Sequence, residues 1–135
     1  MAYVMKHEVD AKQEILKAVG DISNFNVFHN QVLIAIYIRP EMTAGGIIIT
    51  NKTRDEDKWQ GKVGLVLKKG PSAFVDESNQ WFRDVKVEVG DWVVSRPSDG
   101  WSLTYNNRET GDEVLCRLID DTFIRSTIPH PDSVF

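Results

Sequence analysis

The sequence predicts a small, mostly β domain, a barrel or sandwich, preceded by one short helix. From residue 30 onward, short runs rich in β-branched and aromatic residues are separated by turn residues at intervals of about 8–12 positions. The first 27 residues instead carry apolar residues at helical spacing. The length of 135 residues and the apolar fraction of 41% fit one domain with a hydrophobic core and an appendage.

The helix is predicted over residues 10–19. Asp10 and Gln13 match a helix cap with its capping-box partner, and Gly20 is suited to end the helix. The apolar residues that fall near one face are Val9, Ile15, Leu16, Val19 and Ile22. Such a stripe most often packs on the helix's own domain, which we expect here; docking on a neighbouring subunit is the alternative.

The first predicted strand, residues 31–38, is apolar on both faces, which is typical of a buried or interface strand. Arg39-Pro40 ends it, because proline cannot continue a strand ladder. Further strands are predicted at residues 62–68, 92–94, 101–105, 113–119 and 122–128. Residues 129–135, which include two prolines, are expected to form a loose tail.

A hairpin is predicted over residues 70–84. The polar turn at residues 76–79 lies between the apolar pairs Phe74-Val75 and Trp81-Phe82. Directly after it, valines alternate with charged residues from 85 to 89, which predicts another strand.

The sequence contains no recognisable catalytic or metal-binding pattern. His7, His29 and His130 lie far apart, and none has a second ligand at a metal-site spacing. Cys116 lies within a predicted strand, where a small core residue is favoured over a nucleophile. Nucleotide-binding and hydrolase fingerprints are absent, and Asp120-Asp121 indicates a turn. We therefore expect no enzyme, no bound metal and no cofactor.

Composition and charge argue against several classes of partner. The net charge of −4 is unfavourable for a general nucleic-acid binder. No run of about 18 apolar residues exists to span a membrane, and the first residues lack a secretory pattern. A single cysteine excludes an internal disulfide and fits a reducing compartment, so we expect a cytoplasmic protein.

The most informative segment is Gly45-Gly46 followed by Ile47-Ile48-Ile49. Alone, three isoleucines indicate a buried strand. However, a pair of conformationally free glycines precedes them, and the charged run 51–58 follows. A loop this long in a small domain is usually functional or disordered, and exposed apolar residues on it are suited to bind another protein.

The sequence Thr-Ala-Gly-Gly-Ile-Ile-Ile-Thr at residues 43–50 and the sequence Val-Glu-Val-Gly-Asp-Trp-Val-Val at 87–94 resemble motifs of one known family. That family is the GroES-type co-chaperonins, which form the lid of the chaperonin folding chamber. The resemblance covers about residues 28–128. Its other matching stretches are 28–34, 61–67, 99–101, 113–115 and the turn at 120–121.

The resemblance implies a GroES-like β-barrel subunit of a heptameric ring, with a mobile loop at residues 40–58 and a roof hairpin at 70–84. It divides the chain into a helical extension, 1–27, a barrel domain, 28–128, and a tail. The mobile loop would bind the apical domain of a GroEL-type chaperonin and so assist ATP-dependent protein folding. The chaperonin-binding residues implied are Ala44, Gly45, Gly46, Ile47, Ile48, Ile49 and Thr50.

Several features depart from the family pattern. The extension 1–27, the tail after residue 128 and the charged run 51–58 are not part of it. We interpret these features as marks of a divergent member, and a phage or prophage origin is our hypothesis. The main alternative function is a phage structural or assembly protein that reuses the barrel without binding a chaperonin. The related domain of zinc-dependent alcohol dehydrogenases requires ligands and a nucleotide domain that this sequence lacks.

Overall fold

A computed structural model describes residues 10–38, 61–78 and 80–134 of the chain. Within these ranges the fold is one helix and a six-stranded antiparallel sheet with the strand order β4-β5-β1-β2-β3-β6. The elements are α1 (Ala11–Val19), β1 (Gln31–Ile36), β2 (Val63–Lys69), β3 (Trp92–Val94), β4 (Trp101–Asn106), β5 (Glu113–Asp120) and β6 (Ser126–Ile128), with 3-10 turns at Asp121–Phe123 and Pro131–Ser133. The predicted mostly β fold with a short N-terminal helix is confirmed.

Strand β1 lies in the interior of the sheet, where it pairs with β5 on one side and β2 on the other. Its residues alternate between two buried clusters, as successive side chains of a strand point to opposite faces. The helix-side core contains Ala11, Val19, Leu33, Ala35, Tyr37, Val63, Leu65, Leu67, Trp92, Val114 and Cys116. The turn-side core contains Val32, Ile34, Ile36, Val66, Ala73, Val87, Val93 and Ile119. The prediction that this strand is buried on both faces is confirmed.

Helix α1 packs on the sheet of its own chain, as expected. Ala11 and Val19 are buried in the helix-side core, whereas Leu16 of the predicted stripe is exposed. The Nδ2 atom of Asn107 donates a 3.0 Å hydrogen bond to the carbonyl oxygen of Ala18. A Cβ at Gly20, whose φ is +69°, would lie 2.7 Å from that same amide nitrogen. The positive φ favours glycine at this helix end, and a Cβ there would also displace the Asn107 side chain from its hydrogen bond.

The predicted capping box at the start of α1 is wrong. Asp10 occupies the N-cap position, but its side chain makes no capping hydrogen bond. The first turn is instead closed by the backbone, through a 2.9 Å hydrogen bond from Glu14 N to the carbonyl oxygen of Asp10. Burial of the helix against the sheet therefore supports this element without the cap, in line with the dominance of tertiary packing in short helices.

In its described part, the segment from residue 70 to residue 91 forms turns, bends and irregular backbone. The strand predicted at 85–89 is wrong, and residues 70–78 and 80–84 form no strand pair. The chain still reverses there, because the rings of Phe74 and Phe82 meet edge to face with centroids 5.5 Å apart. Phe74 has a φ of +60°, and its backbone N–H donates to the carboxylate of Asp121. Side-chain hydrogen bonds to the backbone thus replace a strand ladder here.

The prediction of a loose C-terminal tail is wrong for residues 129–134. Pro131 is buried, and Val134 packs against the helix-side core. The strand predicted at 122–128 is shorter than expected, because a 3-10 turn at Asp121–Phe123 precedes β6. Strand β6 pairs with β3, so the end of the chain is held on the sheet.

Candidate functional site

The predicted binding residues lie outside the described part of the structure. This applies to the whole predicted mobile loop, residues 40–58, and to Ala44, Gly45, Gly46, Ile47, Ile48, Ile49 and Thr50. The residues that flank them, up to residue 38 and from residue 61 onward, are described. We call Tyr37 and Ile38 before the 39–60 segment, and residues 61–63 after it, the root of the segment.

The two sides of the root lie next to each other. The backbone N–H of Tyr37 donates a 2.9 Å hydrogen bond to the carbonyl oxygen of Val63, and Ile36 is paired with Gly64 in the β1–β2 ladder. The chain therefore leaves the sheet after Tyr37 and returns to it at the same place. A segment anchored in this way can present its residues at one end of a rigid sheet.

A buried arginine holds the second side of the root. The Nη1 atom of Arg117 on β5 donates a 3.2 Å hydrogen bond to the carbonyl oxygen of Gly61. The next carbonyl oxygen, that of Lys62, accepts a 2.9 Å hydrogen bond from the backbone N–H of Ser95. Arg117 is 1% exposed, and its Nε has no hydrogen-bond partner among the described residues. Burial lowers the pKa of the Arg117 guanidinium, and the negative charge of Asp99 opposes this shift.

A buried tyrosine holds the first side of the root. The hydroxyl of Tyr37 donates a 2.5 Å hydrogen bond to Oδ1 of Asp132 in the C-terminal turn. The Tyr37 ring also meets Trp92 edge to face, with centroids 5.7 Å apart. Tyr37 is therefore fixed through its backbone, its ring and its hydroxyl.

Two carboxylates organise the turns at the other end of the sheet. Asp121 is buried and accepts hydrogen bonds from the side-chain amide of Asn30 at 3.1 Å and the backbone N–H of Phe74 at 2.9 Å.

Asp76 is the second carboxylate, and it accepts hydrogen bonds from the backbone N–H groups of Ser78, Gln80 and Trp81. The hydrogen bond from Trp81, more than any other contact, lowers the pKa of Asp76. Both carboxylates support the fold by accepting hydrogen bonds. The turn predicted at 120–121 begins one residue later, at Asp121, because Asp120 is the last residue of β5.

The cysteine thiol, which is a possible nucleophile, lies in the helix-side core. Cys116 is fully buried, and desolvation raises the pKa of its thiol to about 12, so the thiol is protonated at neutral pH. In the ranges 10–38, 61–78 and 80–134, no three His, Cys, Asp or Glu side chains converge as metal ligands. Within the same ranges, no helix has the length and hydropathy of a membrane span.

Comparison with known families identifies the chain. A family model for the chaperonin 10 kDa subunit, Cpn10, matches residues 24–116, which is more than half of the chain. The chain belongs to the Cpn10 family. The predicted resemblance to GroES-type co-chaperonins is thereby confirmed, and so is a co-chaperonin role in general terms. Membership implies partnership with a chaperonin and assembly into an oligomer, and the Cpn10 family is not an enzyme family.

The match to Cpn10 covers only part of the described structure. It begins before β1 and ends within β5, so α1, β6 and the C-terminal turn lie outside it. A search of curated proteins found no significant match to the chain. The elements outside the match are therefore understood from the structure of this chain alone.

Sequence reasoning missed two of the groups that hold the root. The sequence analysis does not assign Arg117 a role, and a charged residue in a strand usually faces water. Its place between Leu115 and Ile119 on an alternating strand was the available signal, since both neighbours on that face contribute to the turn-side core. The sequence does not indicate Asp132, because two prolines in residues 129–135 predict a loose tail.

Proposed function

We propose that the chain is a co-chaperonin subunit that caps a chaperonin ring through residues 44–50 and assists ATP-dependent folding in the cytoplasm. The observation that carries this proposal is the Cpn10 match, which spans residues 44–50 and both sides of the root. The adjacency of Tyr37 and Val63 supports it, because a segment that begins and ends at one point of a sheet can act as a binding loop. In this proposal, residues 40–58 are a mobile loop.

The proposed contact depends on three isoleucines. Burying Ile47, Ile48 and Ile49 in an apolar groove of a chaperonin apical domain would gain roughly 5–8 kcal/mol before other terms. Ordering about ten loop residues would cost on the order of 10 kcal/mol. Backbone hydrogen bonds to the chaperonin must make up the difference, so a single loop binds weakly.

A ring of subunits turns weak single contacts into a usable affinity. We propose a heptamer, in which several loops engage one chaperonin ring at the same time. Linking the loops raises their effective concentration, so overall affinity exceeds that of one loop by orders of magnitude. Weak individual contacts also allow the lid to leave during each cycle.

Native mass spectrometry of the chain, alone and with a GroEL-type chaperonin plus ATP, tests both the ring and the partner. We expect a complex of seven subunits that binds the chaperonin. Ile48→Asp should abolish the chaperonin complex while the ring mass stays unchanged, because a buried carboxylate replaces an apolar contact.

Val75→Asp is the matched control, since Val75 is an exposed apolar residue outside the proposed loop. It should bind the chaperonin like the unmodified chain. Normal binding by Ile48→Asp would refute the assignment of residues 44–50. A ring that forms but never binds a chaperonin would favour the alternative, a structural or assembly protein.

A further inference from the structure

The C-terminal turn reaches from β6 to the root of the proposed loop. We call residues 129–134 the C-terminal strap. Pro131 is fully buried, and Val134 packs against the helix-side core to which Tyr37 belongs. The strap lies beyond residue 116, where the Cpn10 match ends.

The strap presents one carboxylate in a fixed position. Pro131 begins a 3-10 turn, which is closed by a 3.0 Å hydrogen bond from Ser133 N to the carbonyl oxygen of His130. The backbone N–H of Asp132 donates a 3.1 Å hydrogen bond to Nδ1 of His130. This internal bonding orders the backbone that carries Asp132, whose Oδ1 accepts the hydroxyl hydrogen bond of Tyr37 at 2.5 Å.

Tyr37 is the point at which the strap acts on the root. It is the last buried residue before the 39–60 segment, because Ile38 is only partly buried. Its backbone N–H bridges to Val63 on the other side of the root. A restraint on the Tyr37 side chain therefore also restrains the hydrogen bond that joins the two sides.

We infer that the strap holds the root closed through Asp132 and Tyr37, and thereby strengthens binding of the proposed loop to a chaperonin. The second part of the inference rests on the proposed function. If the root frays, its residues join those that must be ordered when the loop binds, and each added residue lowers affinity. In this inference Tyr37 and Asp132 are positioning residues, which act on the loop through the root.

Tyr37→Phe tests the inference, with Tyr105→Phe as the matched control. Tyr105→Phe also removes a tyrosine hydroxyl. The 3.4 Å hydrogen bond that this hydroxyl donates to the carbonyl oxygen of Asp21 lies away from the root. Amide hydrogen exchange followed by NMR reports the Tyr37 N–H directly. We expect exchange at Tyr37 to accelerate roughly tenfold or more in Tyr37→Phe, because a hydrogen bond to a charged acceptor is lost. Tyr105→Phe should leave that rate unchanged.

Chaperonin capture measures the second part of the inference. In the presence of ATP, Tyr37→Phe and Asp132→Ala should each bind a GroEL-type chaperonin about tenfold more weakly per loop, whereas Tyr105→Phe binds normally. A chain ending at residue 128 should reproduce both the faster exchange and the weaker binding.

The two measurements separate failure of the strap from failure of the proposed function. Unchanged exchange at Tyr37 in Tyr37→Phe would overturn the strap. Faster exchange with undiminished capture would overturn its effect on affinity. If the unmodified chain captures no chaperonin, the proposed function and the affinity effect both fail, while the exchange rates still decide whether the strap closes the root.

Discussion

Strand β1 and the segment 85–89 carry similar sequence signals and have different structures. Both are rich in β-branched residues, and both were predicted to be strands. In β1, the residues from Val32 to Ile36 are all buried, and the strand is paired on both sides. In the second segment only Val87 is buried, at 4% exposure, while Val85 and Val89 are 45% and 57% exposed, and no strand forms.

The backbone contacts of the two regions explain the difference. The N–H and C=O groups of β1 are satisfied by β5 and β2. Around Val87, side chains and turns take that role: Nζ of Lys69 donates to the carbonyl oxygen of Val87, and Glu88 N donates to the carboxylate of Asp91. Alternation of valines at 85–89 therefore neither buries all three side chains nor forms a strand, because strand formation also requires a neighbouring backbone to pair with.

The largest expected effect is on the free energy of unfolding, which should fall more for a buried residue of β1 than for an exposed residue of the segment 85–89. Ile34→Ala should lower the free energy of unfolding by about 2–5 kcal/mol, because it leaves a cavity in the turn-side core. Val85→Ala should change it by less than about 0.5 kcal/mol, as expected for an exposed position. Val87→Ala should fall between them. Urea denaturation with an unchanged m-value measures all three, and equal losses for Ile34 and Val85 would contradict the distinction.

A smaller effect concerns the carboxylate that ties the turns to the sheet. Asp121→Ala removes the acceptor for the backbone N–H of Phe74 and for the side-chain amide of Asn30. Leaving such groups without a partner should lower the free energy of unfolding by about 1–3 kcal/mol. Asp120→Ala is the neighbouring control. It removes only a contact with the Gln31 side chain, so a smaller loss is expected.

If the two aspartate variants lose equal stability, the turns do not depend on Asp121. Exchange of the Phe74 amide provides the local measurement. It should accelerate in Asp121→Ala and stay unchanged in Asp120→Ala, since Asp121 alone of the two accepts from that amide.

The sequence predicts the parts of the fold that depend on local pattern. The bounds of α1 and of β1 to β5 follow from periodicity and from turn residues, and they agree with the structure within a few positions. The alternation of β5 indicates which face Arg117 occupies, but its partner could not be predicted, because the carbonyl oxygen of Gly61 is distant in sequence. The docked strap depends in the same way on Tyr37.

For the candidate site, the sequence predicts the family but not the contacts that hold the root. The motif at residues 43–50 indicated the co-chaperonin family, and the Cpn10 match confirms that family. The roles of individual residues in the motif stay predictions, because they lie outside the described residues. What a motif cannot indicate is how its root is held, since Arg117 and Asp132 approach it from distant parts of the chain.

The smallest expected effect is local and depends on pH. Hydrogen bonds, chiefly that from Trp81 N, lower the pKa of Asp76 below its ordinary value of 3.8. A carboxyl whose pKa is lowered by folding stabilises the fold above its unfolded pKa, and this contribution is lost as pH falls through the folded pKa. The turn at residues 76–81 should therefore stay closed from neutral pH down to about pH 4 and open only below it.

The Trp81 amide resonance, followed by NMR across that pH range, should titrate with a midpoint below 3.8, whereas the amides of β1 should not follow the same curve. Asp76→Ala provides the control at neutral pH. It should accelerate exchange at Trp81 without changing exchange in β1, because the backbone groups that donate to Asp76 lie within its own turn. A loss of protection in β1 would mean that the turns and the central strand open together. The strand-paired backbone of β1 and the backbone of the turns would then not differ in local stability.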